Sequence, residues 1–171
     1  MMTRFPTTGF VTVAIVLTAV TASAAPLPTD KQLPLSVATE AALTAVAVCQ
    51  NSGYLVTATV VDASGLVKAV AKGDGAPPHT LDSSRGKAYA AVSLGPNFRE
   101  STTSAIVAKV GNSPAFGSLQ HLPNVFLVAG GVVIKSGDDI VGAIGVGGSP
   151  GGDKDEVCAQ AAVAKIADQL K

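Results

Sequence analysis

His79, Arg85, Lys87 and Tyr89 are the residues of this chain whose types and spacing point to chemistry. His79 closes the stretch Gly73-Asp74-Gly75-Ala76-Pro77-Pro78-His79, which is too rich in glycine and proline for regular structure. A loop stiffened in this way holds a side chain in place, and imidazole is a suitable axial ligand for haem iron. Arg85 and Lys87 follow on a helix expected from about Leu81 to Leu94, and both are natural partners for carboxylates such as haem propionates. Tyr89 lies one turn further on. The alternative reading of the same residues is a solvent-facing loop histidine before an ordinary amphipathic helix. His121, between Gln120 and Leu122, is the weaker ligand candidate of the two histidines.

Other chemistries fit less well. Glycines at 142, 145, 147, 148, 151 and 152 suggest a nucleotide loop, but no Gly-Lys-Ser/Thr follows them. Asp153, Asp155 and Glu156 occupy the start of the next helix, where they favour its dipole and would repel phosphate. A serine hydrolase is poorly served, since only two histidines, His79 and His121, are available as bases. Two dispersed histidines do not make a tetrahedral zinc site. No acid–base pair is evident, so an enzyme is the less favoured class and its catalytic residues are unknown.

The elements that must position these groups follow from pattern. Ser36 is placed to cap a first helix that runs to Cys49 and stops at Gly53. Tyr54 to Val61 is rich in β-branched residues and reads as having no polar face, as expected of a central strand. Asp62-Ala63-Ser64-Gly65 turns the chain into an alternating strand, Leu66 to Lys72. A helix from Leu81 to Leu94 ends at Gly95-Pro96, a shorter one spans Glu100 to Val110, and Gly111 to Pro123 is irregular. Val125–Val128, Val132–Lys135 and Asp139–Val146 read as three more strands. Asp153 and Glu156 have capping-box spacing for the last helix, where Cys158, Ala162, Ile166 and Leu170 form one apolar stripe. The expected fold is therefore α/β (α+β), a five-stranded antiparallel sheet flanked by helices in the order α-β-β-α-α-β-β-β-α.

The ends and the bulk composition bound the setting. Arg4, the apolar run Gly9 to Val20 and Ala22-Ser23-Ala24 have the pattern of a cleavable signal peptide over residues 1–24. The run is short for a membrane span and contains Thr12 and Thr18. A proline-rich extended arm is expected over 25–34 and one domain over 35–171. Export to the periplasm or the exterior follows, with no stable membrane span after cleavage. The chain has 12 Lys and Arg against 12 Asp and Glu, and no basic stripe to mark a nucleic-acid partner. Its apolar residues are mostly small, so association that buries more surface would help it, and a homo-oligomer is expected. Cys49 and Cys158 are an even pair in an exported chain, which favours a disulfide; the alternative is two buried thiols.

Several segments, in order, resemble the haem-binding HbpS/GlcG-like family, which includes the C-terminal domain of PduO. Val60-Val61-Asp62-Ala63-Ser64-Gly65 resembles its hairpin, Gly73-Asp74-Gly75-Ala76 its Asp-Gly-Ala loop, and Lys87-Ala88-Tyr89-Ala90-Ala91 its Lys-Ala-x-Thr-Ala helix. The glycine-rich run from Gly130 to Gly148 and the Asp155-Glu156 helix start complete the set. Three positions depart from the pattern: Ala90 replaces the usual threonine, Val133 a proline, and Gly147 a serine.

The resemblance implies an antiparallel sheet flanked by helices, assembly into homo-oligomers, and haem or a related tetrapyrrole as ligand. It strengthens the reading of His79 as iron ligand, with Arg85, Lys87 and Tyr89 as its companions. Two other classes stay open: an enzyme that degrades haem or acts on another small molecule, and a ligand-free assembly protein.

Overall fold

The computed structural model describes Met2, Ala25 and residues 29–171. The expected signal peptide and the first part of the expected arm lie outside the described residues. From Thr29 to Pro34 the chain has no helix or strand, yet Leu33 is buried beside Gly142 and anchors it. Helix α1 (Leu35–Asn51) leads into strands β1 (Thr57–Asp62) and β2 (Val67–Lys72), then helices α2 (Thr80–Phe98), α3 (Thr103–Val110) and α4 (Phe116–Gln120). Strands β3 (Gly131–Ser136) and β4 (Asp139–Gly147) and helix α5 (Gly152–Ile166) follow, with a final 3-10 turn over Ala167–Leu170. Among the described residues, no helix is long and apolar enough to cross a membrane.

The sheet has four strands in the order β2-β1-β4-β3, all antiparallel. A fifth strand at Val125–Val128 does not form. Its donors turn elsewhere: Phe126 N–H donates to the Gly86 carbonyl of α2 at 3.1 Å, and Val128 N–H to the Phe126 carbonyl. The outer edge of β3, where such a strand would pair, is already met by Ser101 and Thr102. The apolar run was a sound strand pattern, but its partner is a helix carbonyl distant in sequence.

Strand alternation divides the core. Ala58, Val60, Ile134, Ile144 and Val146 face α1 and α5, whose alanines allow close packing. The Cys49–Cys158 disulfide joins those two helices across 109 positions, with Cα atoms 5.6 Å apart. On the opposite face, Val61, Val133 and Ala143 meet Ala88, Ala91 and Val92 of α2. Here β4 presents glycine: a Cβ on Gly145 would overlap the Ser84 carbonyl and the Ala88 amide, and one on Gly147 would overlap the Ser83 hydroxyl. At Gly145 and Gly147, helix α2 therefore rests on bare backbone.

Helix ends differ from expectation in physical detail. Helix α1 starts at Leu35 behind Pro34, whose fixed φ suits a helix entry, and Ser36 does not cap it. Helix α2 passes through Gly95-Pro96 and ends at Arg99, whose φ of 56° is left-handed. There the Arg99 and Glu100 amides donate back to the Pro96 and Gly95 carbonyls. The segment expected to be irregular contains the short α4. Gly151 precedes α5, and Asp153 makes no capping bond.

Candidate functional site

The site begins with the loop between β2 and α2. Ala76 is buried, its N–H donates to the Gly73 carbonyl, and its carbonyl accepts from the Lys72 ammonium. Thr80 is fully buried. Its hydroxyl donates to the Pro77 carbonyl at 2.6 Å and lies 2.6 Å from the Thr57 hydroxyl of β1. One proton per hydroxyl then makes Thr57 the donor in that pair. One turn later the same arrangement recurs: Ser84 donates to the Leu81 carbonyl and accepts from Thr59 at 2.8 Å. Two buried hydroxyl pairs thus fix the start of α2 on β1, while His79, the residue before it, stays exposed.

His79 and Arg85 line one open groove of about 420 Å³. Its floor and flanks include Asp82, Gly86, Asn124 and Phe126. Gly86 lets the far wall approach, since a Cβ there would stand 2.6 Å from the Phe126 Cβ. Asn124 turns the chain into that wall with φ of 65°, a left-handed value that asparagine tolerates better than most residues. Phe126 remains 45% exposed beside the groove. Asp82, Asn124 and Phe126 were missed in the sequence. The available signal was Gly86, a helix-interior glycine that marks a close approach.

Lys87 does not join this groove. It is buried on the other side of α2, with its ammonium 2.6 Å from Asp155 Oδ2 and both side chains at most 4% exposed. Asp155 Oδ1 accepts from the Ser149 N–H at 3.0 Å. Two residues on a helix are about 200° apart, so Lys87 cannot share the outlook of Arg85. Its ammonium is committed to Asp155 and is not free for a propionate. Glu156 is buried too. Its carboxylate accepts from the amides of Ser104 and Gly130, each at 3.1 Å, and from the Ser104 hydroxyl. Ser104 is in the first turn of α3, whose dipole favours the anion. These acids brace α5, α3 and the entry to β3 and do not form a capping box.

Tyr89 stands outside the His79 groove, against the β1–β2 turn. Gly65, with φ of +79°, has no side chain, and Tyr89 Cε2 lies 2.7 Å from where its Cβ would be. His121 is exposed near the end of α4, its Nδ1 2.6 Å from the Gly117 carbonyl, and takes no part in the groove. Among the described residues there is no cluster of three or more metal-ligating side chains.

An imidazole, a guanidinium and an exposed phenyl ring along one open groove can hold a flat apolar ligand that carries both a metal and acidic groups.

HbpS of Streptomyces reticuli, in the crystal structure of a double mutant, is 33% identical over 88% of this chain and 98% of its own, with a TM-score of 0.75. Klebsiella pneumoniae ORFY is 24% identical, covers 85% of this chain and 98% of its own, and has a TM-score of 0.73. The crystallised PduOC:haem complex is 22% identical over 78% of this chain and 94% of its own, with a TM-score of 0.67. The last two likenesses show the fold alone. No curated protein sequence matches the chain. Residues 33–164 match the model of the haem-degrading HbpS-like proteins, a span that holds the whole sheet, the groove and both cysteines, and the chain belongs to that family.

Proposed function

We propose that the protein is an exported haem-binding protein in which His79 ligates the iron and Arg85 receives a propionate. The observation that carries this reading is the shared groove: His79, Arg85 and Phe126 line one opening of about 420 Å³. The residues fit the group chemically. Neutral imidazole is a haem-iron donor, a guanidinium pairs with carboxylate, and an exposed phenyl ring can lie against a macrocycle. A bound haem would supply redox chemistry at its iron; this chain would supply binding and orientation.

The groove is open, so a second copy of the chain would be well placed to complete it. Exposed Leu66, Val67 and Val70, on and beside the outer strand β2, are apolar surface that association would bury. Export is supported by the leader pattern of residues 1–24, and the disulfide suits an oxidising compartment.

The test is a haemin titration of the chain starting at Ala25, followed by absorbance. The expected result is a sharp Soret band saturating at a fixed haem-to-subunit ratio, which His79→Ala shifts or abolishes. A spectrum identical to that of free haemin would reject the reading, and an unchanged band in His79→Ala would remove that residue from it. The family description favours a second reading, haem degradation. That reading requires the bound spectrum to decay under ascorbate or peroxide faster than free haemin does.

A further inference from the structure

We infer that the His79 groove continues into a second chamber that takes the carboxylate arms of the ligand, held by Arg85 and Tyr89. The inference rests on the tetrapyrrole reading above. The chamber, of about 310 Å³, lies between the β1–β2 turn and α2, and its lining includes Ser64, Gly65, Val67 and Tyr89. Arg85 and Asn124 line both this chamber and the His79 groove, so the two spaces share a wall.

The order of groups along α2 gives the pair a direction. Asp82, Arg85 and Tyr89 recur at three- and four-residue steps within about 60° of one another around the helix, and His79 stands just before its first turn. At 1.5 Å per residue, Arg85 lies about 9 Å along the axis from His79, and Tyr89 about 15 Å. Asp82 comes first, and its carboxylate repels an acidic group placed beside the imidazole. Arg85 comes next and attracts one. A metalloporphyrin with its metal at His79 has its acids on one edge only. The charge sequence turns that edge past Asp82, toward the second chamber.

Arg85 is available for this role. It takes part in none of the four ion pairs among the described residues, and no other lysine or arginine lines either space. Tyr89 is rigidly placed, because its ring occupies the room left by the absent side chain of Gly65. A phenol held there can donate to a carboxylate that the guanidinium has drawn in.

The experiment compares haemin with its bis-amide, which keeps iron and macrocycle but carries no acid, in wild type, Arg85→Gln and Tyr89→Phe. Wild type is expected to prefer haemin by about tenfold or more, in line with one charge-assisted pair. Arg85→Gln should bring the ratio to about one while bis-amide affinity and the Soret position stay unchanged. Tyr89→Phe should lower the ratio part of the way. Equal affinity of wild type for both ligands, or a ratio unmoved by Arg85→Gln, would overturn the carboxylate chamber alone. Failure of wild type to bind either ligand would overturn the tetrapyrrole reading itself.

Discussion

The hydroxyls of Thr57 and Thr80 meet at 2.6 Å in the interior, and Thr80 also donates to the Pro77 carbonyl. One buried side chain therefore joins three parts: the central strand, the first residue of α2 and the proline loop that carries His79. The position of an exposed imidazole is set by a contact that never sees water.

Thr80→Val should destabilise the protein by about 1–3 kcal/mol, since it strands the Thr57 hydroxyl and the Pro77 carbonyl. Thr57→Val alone should cost less, because Thr80 keeps its carbonyl partner. The double variant should lose less than the sum of the two, as the orphaned donor is gone as well. Urea unfolding of the four proteins measures the coupling, and strict additivity would mean the hydroxyls do not interact.

Lys87→Met should be far more damaging, by about 3–5 kcal/mol, because Asp155 is left charged and buried without its partner. Lys87→Met with Asp155→Leu should recover much of that loss. The recovered variant should also titrate haemin with wild-type affinity, since Lys87 lies outside the groove. A large affinity loss in the stable double variant would return Lys87 to the site.

Gly86→Ala separates the groove from the fold. Relief of helix glycine gains about 1 kcal/mol, whereas overpacking against Phe126 costs about 1–3 kcal/mol. Net stability should therefore fall only modestly. The Phe126 wall must move, so haemin affinity should drop on the order of tenfold, about 1.4 kcal/mol. A thermal melt paired with the absorbance titration reads both quantities.

Reduction of the Cys49–Cys158 bond should lower stability by about 4–5 kcal/mol in the chain-entropy account, given a loop of 109 positions. Urea midpoints with and without reductant test this. The haemin spectrum of the reduced, still-folded protein should not change, since neither cysteine lines the groove.

The hairpins were legible because Asp62-Ala63-Ser64-Gly65 and Ser136-Gly137-Asp138 are local turn signals between β-branched runs. That His79 and Arg85 lie near one another was also legible, because less than two helical turns separate them. Lys87 misled because composition counts it with Arg85, while helix geometry turns it the other way. Asp155 and Glu156 looked like dipole-favouring caps; a capping acid and a buried, bonded acid both sit in a first turn, and only the tertiary partners Lys87, Ser104 and Gly130 separate them. Val125–Val128 failed as a strand for the same kind of reason. The acceptor for its Phe126 amide, the Gly86 carbonyl, is some 40 positions away, and no window of sequence contains both.

The bond between α1 and α5 also makes the intervening chain a closed covalent circuit. A single protease cut anywhere between Cys49 and Cys158, the exposed proline loop at Pro77 and Pro78 included, opens the circuit without releasing a fragment. The two pieces would still migrate as one species on a non-reducing gel and separate only when the bond is reduced. A nicked molecule keeps its first and last helices joined, so a break at the groove's rim does not part the two ends of the chain.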